Sequence, residues 1–316
     1  MAIRTAICDL LGIEHPIILG GMMGISDGRL TAAVSEAGGL GTLSTATFGP
    51  DGTRREIEKI ASLTDRPYSL NLPIFHPMVP ELVKIVKEFG IGIVTTSAGS
   101  PDKYTRELKD AGATVIHVIS SLRTARKAAA AGVDAVVAEG IESGGKVARD
   151  EVPTISLIPQ VVDAVDIPVI GAGGLADGRG LLAVLALGAQ GVQLGTRFLA
   201  TVESPAHENW KRVLVEAGDA DTAVACRQSS PTRMIQNDFY EEMNALDAPG
   251  KNAMDFMGIQ GEGMARIPND LDGSKGNYIA GTGSGLIRSI APAGDVVREI
   301  MDAADAELAR LNSVAC

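Results

Sequence analysis

Short apolar runs recur along the chain at nearly constant intervals, separated by segments in which apolar residues return every three to four positions. The runs predict strands at Pro16–Leu19, Gly41–Leu43, Tyr68–Leu70, Gly92–Thr95, Thr114–Ile119, Asp134–Ala138, Pro168–Ala172 and Gly191–Leu194. Most are spaced by roughly 25 residues, the length of one strand–helix unit. Among the intervening segments, Pro80–Phe89 sets Leu82, Val83, Val86 and Phe89 on one helical face, and Thr124–Ala131 and Thr154–Val165 follow the same period. Capping residues open several helices (Ser26-Asp27, Pro101-Asp102, Asp177), and glycines close them before the next strand (Gly38-Gly39, Gly90, Gly112, Gly132, Gly188).

Strands apolar along their whole length belong to a parallel sheet covered on both faces. An open doubly wound sheet and a closed barrel share the same alternation. Eight strands with no long polar edge strand predict the α/β class and a TIM (β/α)8 barrel. Two stretches break the rhythm. Gly140–Pro153 is a long glycine-rich charged loop, expected to act as a mobile lid. After about Asp221 the alternation ceases, and Cys226–Met264 reads as helical with a break at Pro249-Gly250. The expected organisation is therefore a barrel over residues 1–220 and 271–316, with a small, mainly helical addition over 221–270.

Composition narrows the partners. Hydrophobic residues at 45% and charged residues at 21% are globular values that exclude wholesale disorder. A net charge of −11 argues against nucleic acid or an anionic membrane. One Trp, four Tyr and six Phe are too few for base-stacking platforms. The N-terminus carries Arg4, Asp9 and Glu14, and the longest uncharged apolar run, Gly180 to Gly195, is broken by glycine; neither a signal peptide nor a membrane span is expected. Cys8, Cys226 and Cys316 are sparse and far apart, which fits a reducing compartment. A cytoplasmic protein with a small-molecule substrate is expected, and a homodimer is compatible with this.

In a parallel barrel the loops after the strand C-termini carry the chemistry. Here they include GGMMG (Gly20–Gly24), Asn71 with LPIFHP, TTSAGSP (Thr95–Pro101), EGIESGGK (Glu139–Lys146), AGGLADG (Ala172–Gly178) and GTRF (Gly195–Phe198). The thirty-seven glycines exceed the usual share of roughly 7%. Gly173-Gly174 and Gly195-Thr196 stand at the ends of the last two strands, where barrels commonly hold a phosphate. Glycine there lets backbone N–H groups approach an anion without an intervening Cβ. Ordinary tight turns would explain either pair alone, less readily both. No GxxxxGK[ST] pattern supports an NTP-hydrolysing loop.

The runs GGMMGISDGRLTAAVSEAGGLG, SLNLPIF, TTSAGSPDKY, DAVVAEGIESGG, PVIGAGGLADGRG and GVQLGTRFLATVESPAHENWK resemble two related groups. These are the nitronate monooxygenases (formerly 2-nitropropane dioxygenases) and the FMN-dependent enoyl-ACP reductases. The resemblance covers most of residues 12–218 in order. It implies an FMN in the barrel mouth, with the backbone around Gly21, Met22 and Met23 facing the isoalloxazine and Asn71 bonded to the flavin or ribityl chain. Glu139 falls where monooxygenases tend to carry glutamine and the reductases glutamate. Gly144, Gly174, Gln193, Gly195 and Thr196, beside Gly173, would wrap the ribityl and phosphate.

One position departs. Both groups follow the ESGG-like run with a histidine credited with proton transfer; here it is Lys146. A lysine acts as a base only when burial or a cationic neighbour lowers its pKa. The charged GGKVARDE run looks solvated, which favours an anion clamp for substrate or pyridine-nucleotide phosphate over a lysine base. His76, after Asn71 on the catalytic face, is the other catalytic candidate, against a plain surface-loop reading. His15 and His117 read as structural, the latter packed or paired inside a strand, and His207 as a helix cap or a residue shared with the family. No base lies near any cysteine in sequence, so thiol chemistry is not expected.

The leading expectation is an FMN-dependent oxidoreductase oxidising a small nitronate-like substrate, with O2 reoxidising the flavin. The second is an NAD(P)H-dependent enoyl thioester reductase, with NAD(P)H as co-substrate. The third is a flavin-retaining binding or regulatory barrel whose site is degenerate at Lys146.

Overall fold

The computed structural model describes residues 3–314, so Cys316 lies outside the described residues. Eight parallel strands form one sheet: β1 (Ile17–Leu19), β2 (Gly41–Ser44), β3 (Tyr68–Pro73), β4 (Ile93–Ser97), β5 (Thr114–Ile119), β6 (Ala135–Glu139), β8 (Val169–Ala172) and β9 (Gly191–Leu194). The remaining short strand in that stretch, β7 (Gly145–Lys146), belongs elsewhere. In the sheet β1 lies beside β9, and β2 ends the other side. The ring closes because Leu40, just before β2, donates to the Ile17 carbonyl at 2.9 Å and accepts from Leu19 at 2.9 Å. The closed barrel replaces the open-sheet alternative, and seven of its strand-to-strand pairings are continuous parallel ladders.

Alternation along the strands sorts two apolar layers. Ile18, Ile116, Val137 and Ile170 point inward and pack on Ile7, Cys8 and Leu11, so the N-terminal helix Ala6–Leu11 plugs the bottom of the barrel. Leu70, Val94, Val136 and Val192 point outward against the helices, which bury Leu82, Val83 and Val86 of Val79–Phe89 and Leu157, Ile158 and Val161 of Thr154–Val162. Two of the three capping signals act as read, while Pro101-Asp102 opens only a short 3-10 turn before the helix Thr105–Asp110. Asp27 accepts from Leu30 N–H, and Asp177 from the N–H groups of Arg179 and Gly180. Gly38, Gly90, Gly112, Gly132 and Gly188 all take the left-handed conformation that ends a helix without a Cβ clash.

The addition differs in its first part from the sequence expectation. The segment read as helical from Cys226 contains the end of an antiparallel strand pair, β10 (Thr222–Ala225) and β11 (Thr232–Ile235), and only then the helices Asp238–Ala245 and Met257–Arg266. β11 also pairs with β7, so the segment takes its strand conformation from long-range partners rather than from local period. The same pairing joins Gly140–Pro153, the expected mobile lid, to the strand pair. Val147 N–H donates to the Pro231 carbonyl at 3.1 Å, Arg149 to the Ser229 carbonyl at 2.7 Å and Arg233 Nε to the Ile141 carbonyl at 2.9 Å, and Arg227 pairs with Glu151. The loop is tied to the strand pair at both ends.

Candidate active site

A cavity of about 740 Å³ opens at the C-terminal ends of the barrel strands. Its floor follows from strand parity. The barrel bottom is apolar, a buried hydroxyl group of Thr42, Ser69 and Thr95 lies above it, and the inward positions Asn71 of β3, Glu139 of β6 and Gln193 of β9 line the cavity. Asn71 is buried, and its amide reaches only long contacts, 3.4 Å to the Thr95 carbonyl and 3.4 Å to Ser97 Oγ. Burial raises the Glu139 carboxyl to about 7, against which a hydrogen bond from Ser143 acts only in part. Polar groups so weakly served by the protein ask for partners in the cavity.

The glycine loops form one wall. Gly21, Met22 and Met23 follow β1, and a Cβ on Gly21 would lie 2.5 Å from Asn71 Cγ, so only glycine lets the backbone lie over that amide. Gly173 and Gly174 follow β8 at φ +105° and +72°, and Gly195 and Thr196 follow β9. Gly144 is wedged against a second glycine-rich segment, where a Cβ would meet the Ala280 carbonyl carbon at 2.7 Å. Thr196 Oγ1 accepts from Gly281 N–H at 3.0 Å, linking the β9 loop to this segment. Trp210 lines the cavity while 5% exposed, and its indole N–H has no partner in the protein. These features fit a flavin mononucleotide: amide and carboxyl groups at the floor for a ring edge, and Cβ-free backbone after β8 and β9 for the phosphate end.

Of the two catalytic candidates, the structure brings one to the cavity. Lys146 lines it and belongs to β7, with Nζ donating to Thr232 Oγ1 at 2.9 Å and to Ser230 Oγ. The expectation of a freely solvated ammonium is corrected: the side chain is exposed along the cavity, but its charged end is crowded by β11, and desolvation lowers its pKa from the ordinary lysine value. His76 is not among the lining residues; Phe75 takes that place, and His76 Nδ1 accepts from Met78 N–H at 3.3 Å. The turn after β3 directs the imidazole back onto its own chain.

His117 does line the cavity, where the sequence predicts only packing or pairing within a strand. It is 3% exposed, bonded through Nδ1 to Thr96 Oγ1 at 2.7 Å, and burial lowers its pKa to about 4. Its ring is therefore held against β4 as a neutral group. The sequence reading also passed over Arg123 and Lys127, which line the cavity from the helix Leu122–Ala130, and Thr232 of the addition. Their positions on a helix face and in a misread strand carried no local signal. His207 caps the helix Glu208–Glu216, accepting from Asn209 N–H at 3.2 Å. Cys8 and Cys226 are buried free thiols, with Cys226 raised to about 11 by burial. Among the described residues, no cluster of His, Cys, Asp and Glu could hold a metal ion, and no helix is long and apolar enough to cross a membrane.

Comparison with known proteins agrees with this geometry. The family model for nitronate monooxygenase matches residues 4–87 and 77–303. A Rhodococcus jostii protein named (3aS,4S,5R,7aS)-5-hydroxy-7a-methyl-1-oxo-octahydro-1H-indene-4-carboxyl-CoA dehydrogenase is 35% identical over 85% of this chain and 77% of its own length. A probable nitronate monooxygenase of Staphylococcus saprophyticus is 35% identical over 78% of this chain and 82% of its own. The structure of FabK from Thermotoga maritima superposes with a TM-score of 0.91 at 39% identity, over 98% of this chain and 99% of that one. Nitroalkane oxidase from Streptomyces ansochromogenes gives a TM-score of 0.87 at 29% identity, over 97% and 100%. The chain belongs to the nitronate monooxygenase family of FMN-dependent oxidoreductases.

Proposed function

We propose that this chain binds one FMN in the barrel mouth and oxidises a small nitronate-like anion. The observation that carries the reading is the division of the cavity: Asn71, Glu139 and Gln193 at the floor, glycine loops after β8 and β9 at one wall, and Lys146 at another. Asn71 and Gln193 would hold the ring edge, Glu139 would accept or share a proton with it, and Gly174, Gly195 and Thr196 would hold the phosphate. When bound, FMN supplies a two-electron acceptor that O2 can reoxidise.

The chain's own groups do the rest. The ammonium of Lys146 attracts and orients an anionic oxygen of the substrate in a partly desolvated site, where a charge acts more strongly than in water. No imidazole stands as a ready base at the reacting region: His76 is directed away, and His117 is buried, bonded through Nδ1 to Thr96 Oγ1 and made a weak base by desolvation. A pre-formed nitronate has already lost its proton and needs no such base, which is why the anion rather than its neutral nitroalkane is the fitting substrate.

A second reading, oxidoreduction of an acyl thioester with NAD(P)H or a related partner, is favoured by one observation. The cavity extends to Arg123 and to Lys127, the latter ion-paired with Asp102 at 3.1 Å, more room than a small nitronate uses. Anaerobic mixing of the FMN-loaded protein with a nitronate, with NADH, with NADPH and with an acyl-CoA, following flavin absorbance, separates the two. Bleaching by the nitronate with return in air supports the first reading. Bleaching only by a reduced pyridine nucleotide or the thioester replaces it with the second.

A further inference from the structure

Lys146 stands opposite Thr232 in the antiparallel register of β7 and β11. Its Nζ donates to Ser230 Oγ at 2.5 Å and to Thr232 Oγ1 at 2.9 Å, with the Ser230 carbonyl farther off at 3.5 Å. The Thr232 hydroxyl gives its own proton to the Ser230 carbonyl at 2.9 Å, so its oxygen faces the ammonium as an acceptor only. Ser230 and Thr232 are 6% and 1% exposed, so water does not compete well for either hydroxyl.

All of these acceptors are neutral. A lysine held by a carboxylate has its field largely cancelled at short range, whereas one held by hydroxyl dipoles is oriented and keeps its net charge. The neighbouring framework holds the hydroxyls in turn. The Cys226 carbonyl accepts from the N–H groups of Ser229 (3.2 Å) and Ser230 (2.9 Å), Asp247 accepts from Gln228 N–H at 2.9 Å and from Ser229 Oγ, and Arg149 donates to the Ser229 carbonyl at 2.7 Å. Thus the turn between β10 and β11 is fastened both to the addition and to the loop that carries Lys146.

We infer that Ser230 and Thr232 are positioning residues that hold Lys146 as an oriented, uncompensated cation for the anionic substrate, and that the strand pair β10–β11 serves the active site by delivering them. The inference rests on the reading of Lys146 as the substrate's anion-binding group. Neutral dipoles favour the ammonium over the amine, so removing them makes the lysine lose its proton at lower pH while also loosening its position.

The test uses the FMN-loaded enzyme with a nitronate, measuring kcat and KM from about pH 6 to about pH 10, the range that spans a lowered lysine pKa. Thr232→Val and Ser230→Ala are each expected to raise KM about threefold, and together about tenfold, with kcat changed less than about twofold. The alkaline rise in KM should move to lower pH, Thr232→Ser should restore the parental profile, and the FMN dissociation constant, read by flavin fluorescence, should stay unchanged. In a Lys146→Met background the hydroxyl substitutions should have no further effect on KM. An unchanged KM in the double variant, where Lys146→Met alone raises it, overturns the positioning role and leaves the reading of Lys146 standing. Equal losses with and without Lys146 also overturn it, because the hydroxyls would then act through the fold. If Lys146→Met leaves KM unchanged, the anion-binding reading itself fails and the positioning role with it.

Discussion

Asn71 and Gly21 occupy the same point of the barrel mouth: the asparagine Cγ lies 2.5 Å from where a Cβ on the glycine would be. The backbone after β1 can therefore cross above the floor only because residue 21 has no side chain, and the amide beneath it keeps its poorly partnered NH2 group near the cavity. Gly21→Ala should push the Asn71 side chain from its place. We expect FMN affinity to fall at least about tenfold, the equivalent of losing roughly one charged or well-formed hydrogen bond, read by fluorescence titration. Unaltered affinity would show that this contact does not shape the flavin floor.

Gly174 and Gly195 give a sharper test of the phosphate wall. Gly174 sits at φ +72° with a hypothetical Cβ 3.0 Å from Glu142 Cβ, so Gly174→Val combines backbone strain with a clash. A Cβ on Gly195 would meet nothing closer than Met22 Sδ at 3.4 Å, so Gly195→Val intrudes on the cavity with less harm to the fold. Gly195→Val should therefore lose FMN while the FMN-free protein keeps its melting temperature; retention of FMN would remove the phosphate from this wall.

Lys146 and His76 are predicted to part company in kinetics. Lys146→Ala should raise the KM for a nitronate more than it lowers kcat, and His76→Ala should be nearly silent because its ring faces Met78 rather than the cavity. The parent enzyme should turn over nitronates far better than neutral nitroalkanes, and Lys146→His should recover part of the neutral-substrate activity. Equal activity of the parent on both forms, undiminished in either alanine variant, would contradict these roles.

Glu139 should couple stability to pH in the FMN-free protein. Its folded pKa, about 7, lies above the ordinary carboxyl value of 4.5. The neutral acid is thus compatible with burial at low pH, and the fold loses stability as pH rises from about 4.5 through about 7 and the native group is forced to ionise. Glu139→Gln should flatten this decline in a series of melting temperatures, and an identical slope in both proteins would show that the carboxyl is already well solvated in the cavity.

His117 carries the opposite dependence. Its folded pKa of about 4 lies below the ordinary 6.5, so its contribution is complete above about pH 6.5 and is lost as pH falls toward 4 and the unfolded chain takes up the proton. A shift of this size corresponds to at most about 3 kcal/mol. Chemical denaturation of the parent and of His117→Gln at descending pH should show a shallower acid loss in the variant. Parallel curves would assign the acid sensitivity to other groups.

The sequence by itself determined the barrel and most of its mouth. A parallel strand buried on both faces must be apolar throughout, and a helix must start at a cap and stop at a glycine, so eight such units are written in local pattern from Ile17 to Leu194. The glycine loops were legible for the same reason, since Gly173 and Gly174 mark backbone that no other residue adopts easily. Only tertiary structure decided the rest. Thr232 and its neighbours follow a pattern that local period cannot separate from a helix, and they became a strand because β10 and β7 offered hydrogen-bond partners far away in sequence. That pairing also settled the environment of Lys146, whose charged surroundings in sequence suggest open water but whose ammonium is held by two buried hydroxyls. His76 and His117 exchanged places relative to expectation for a comparable reason. Which ring reaches the cavity depends on a turn after β3 and on the register of Thr96 with His117, and neither is a property of the residues taken singly.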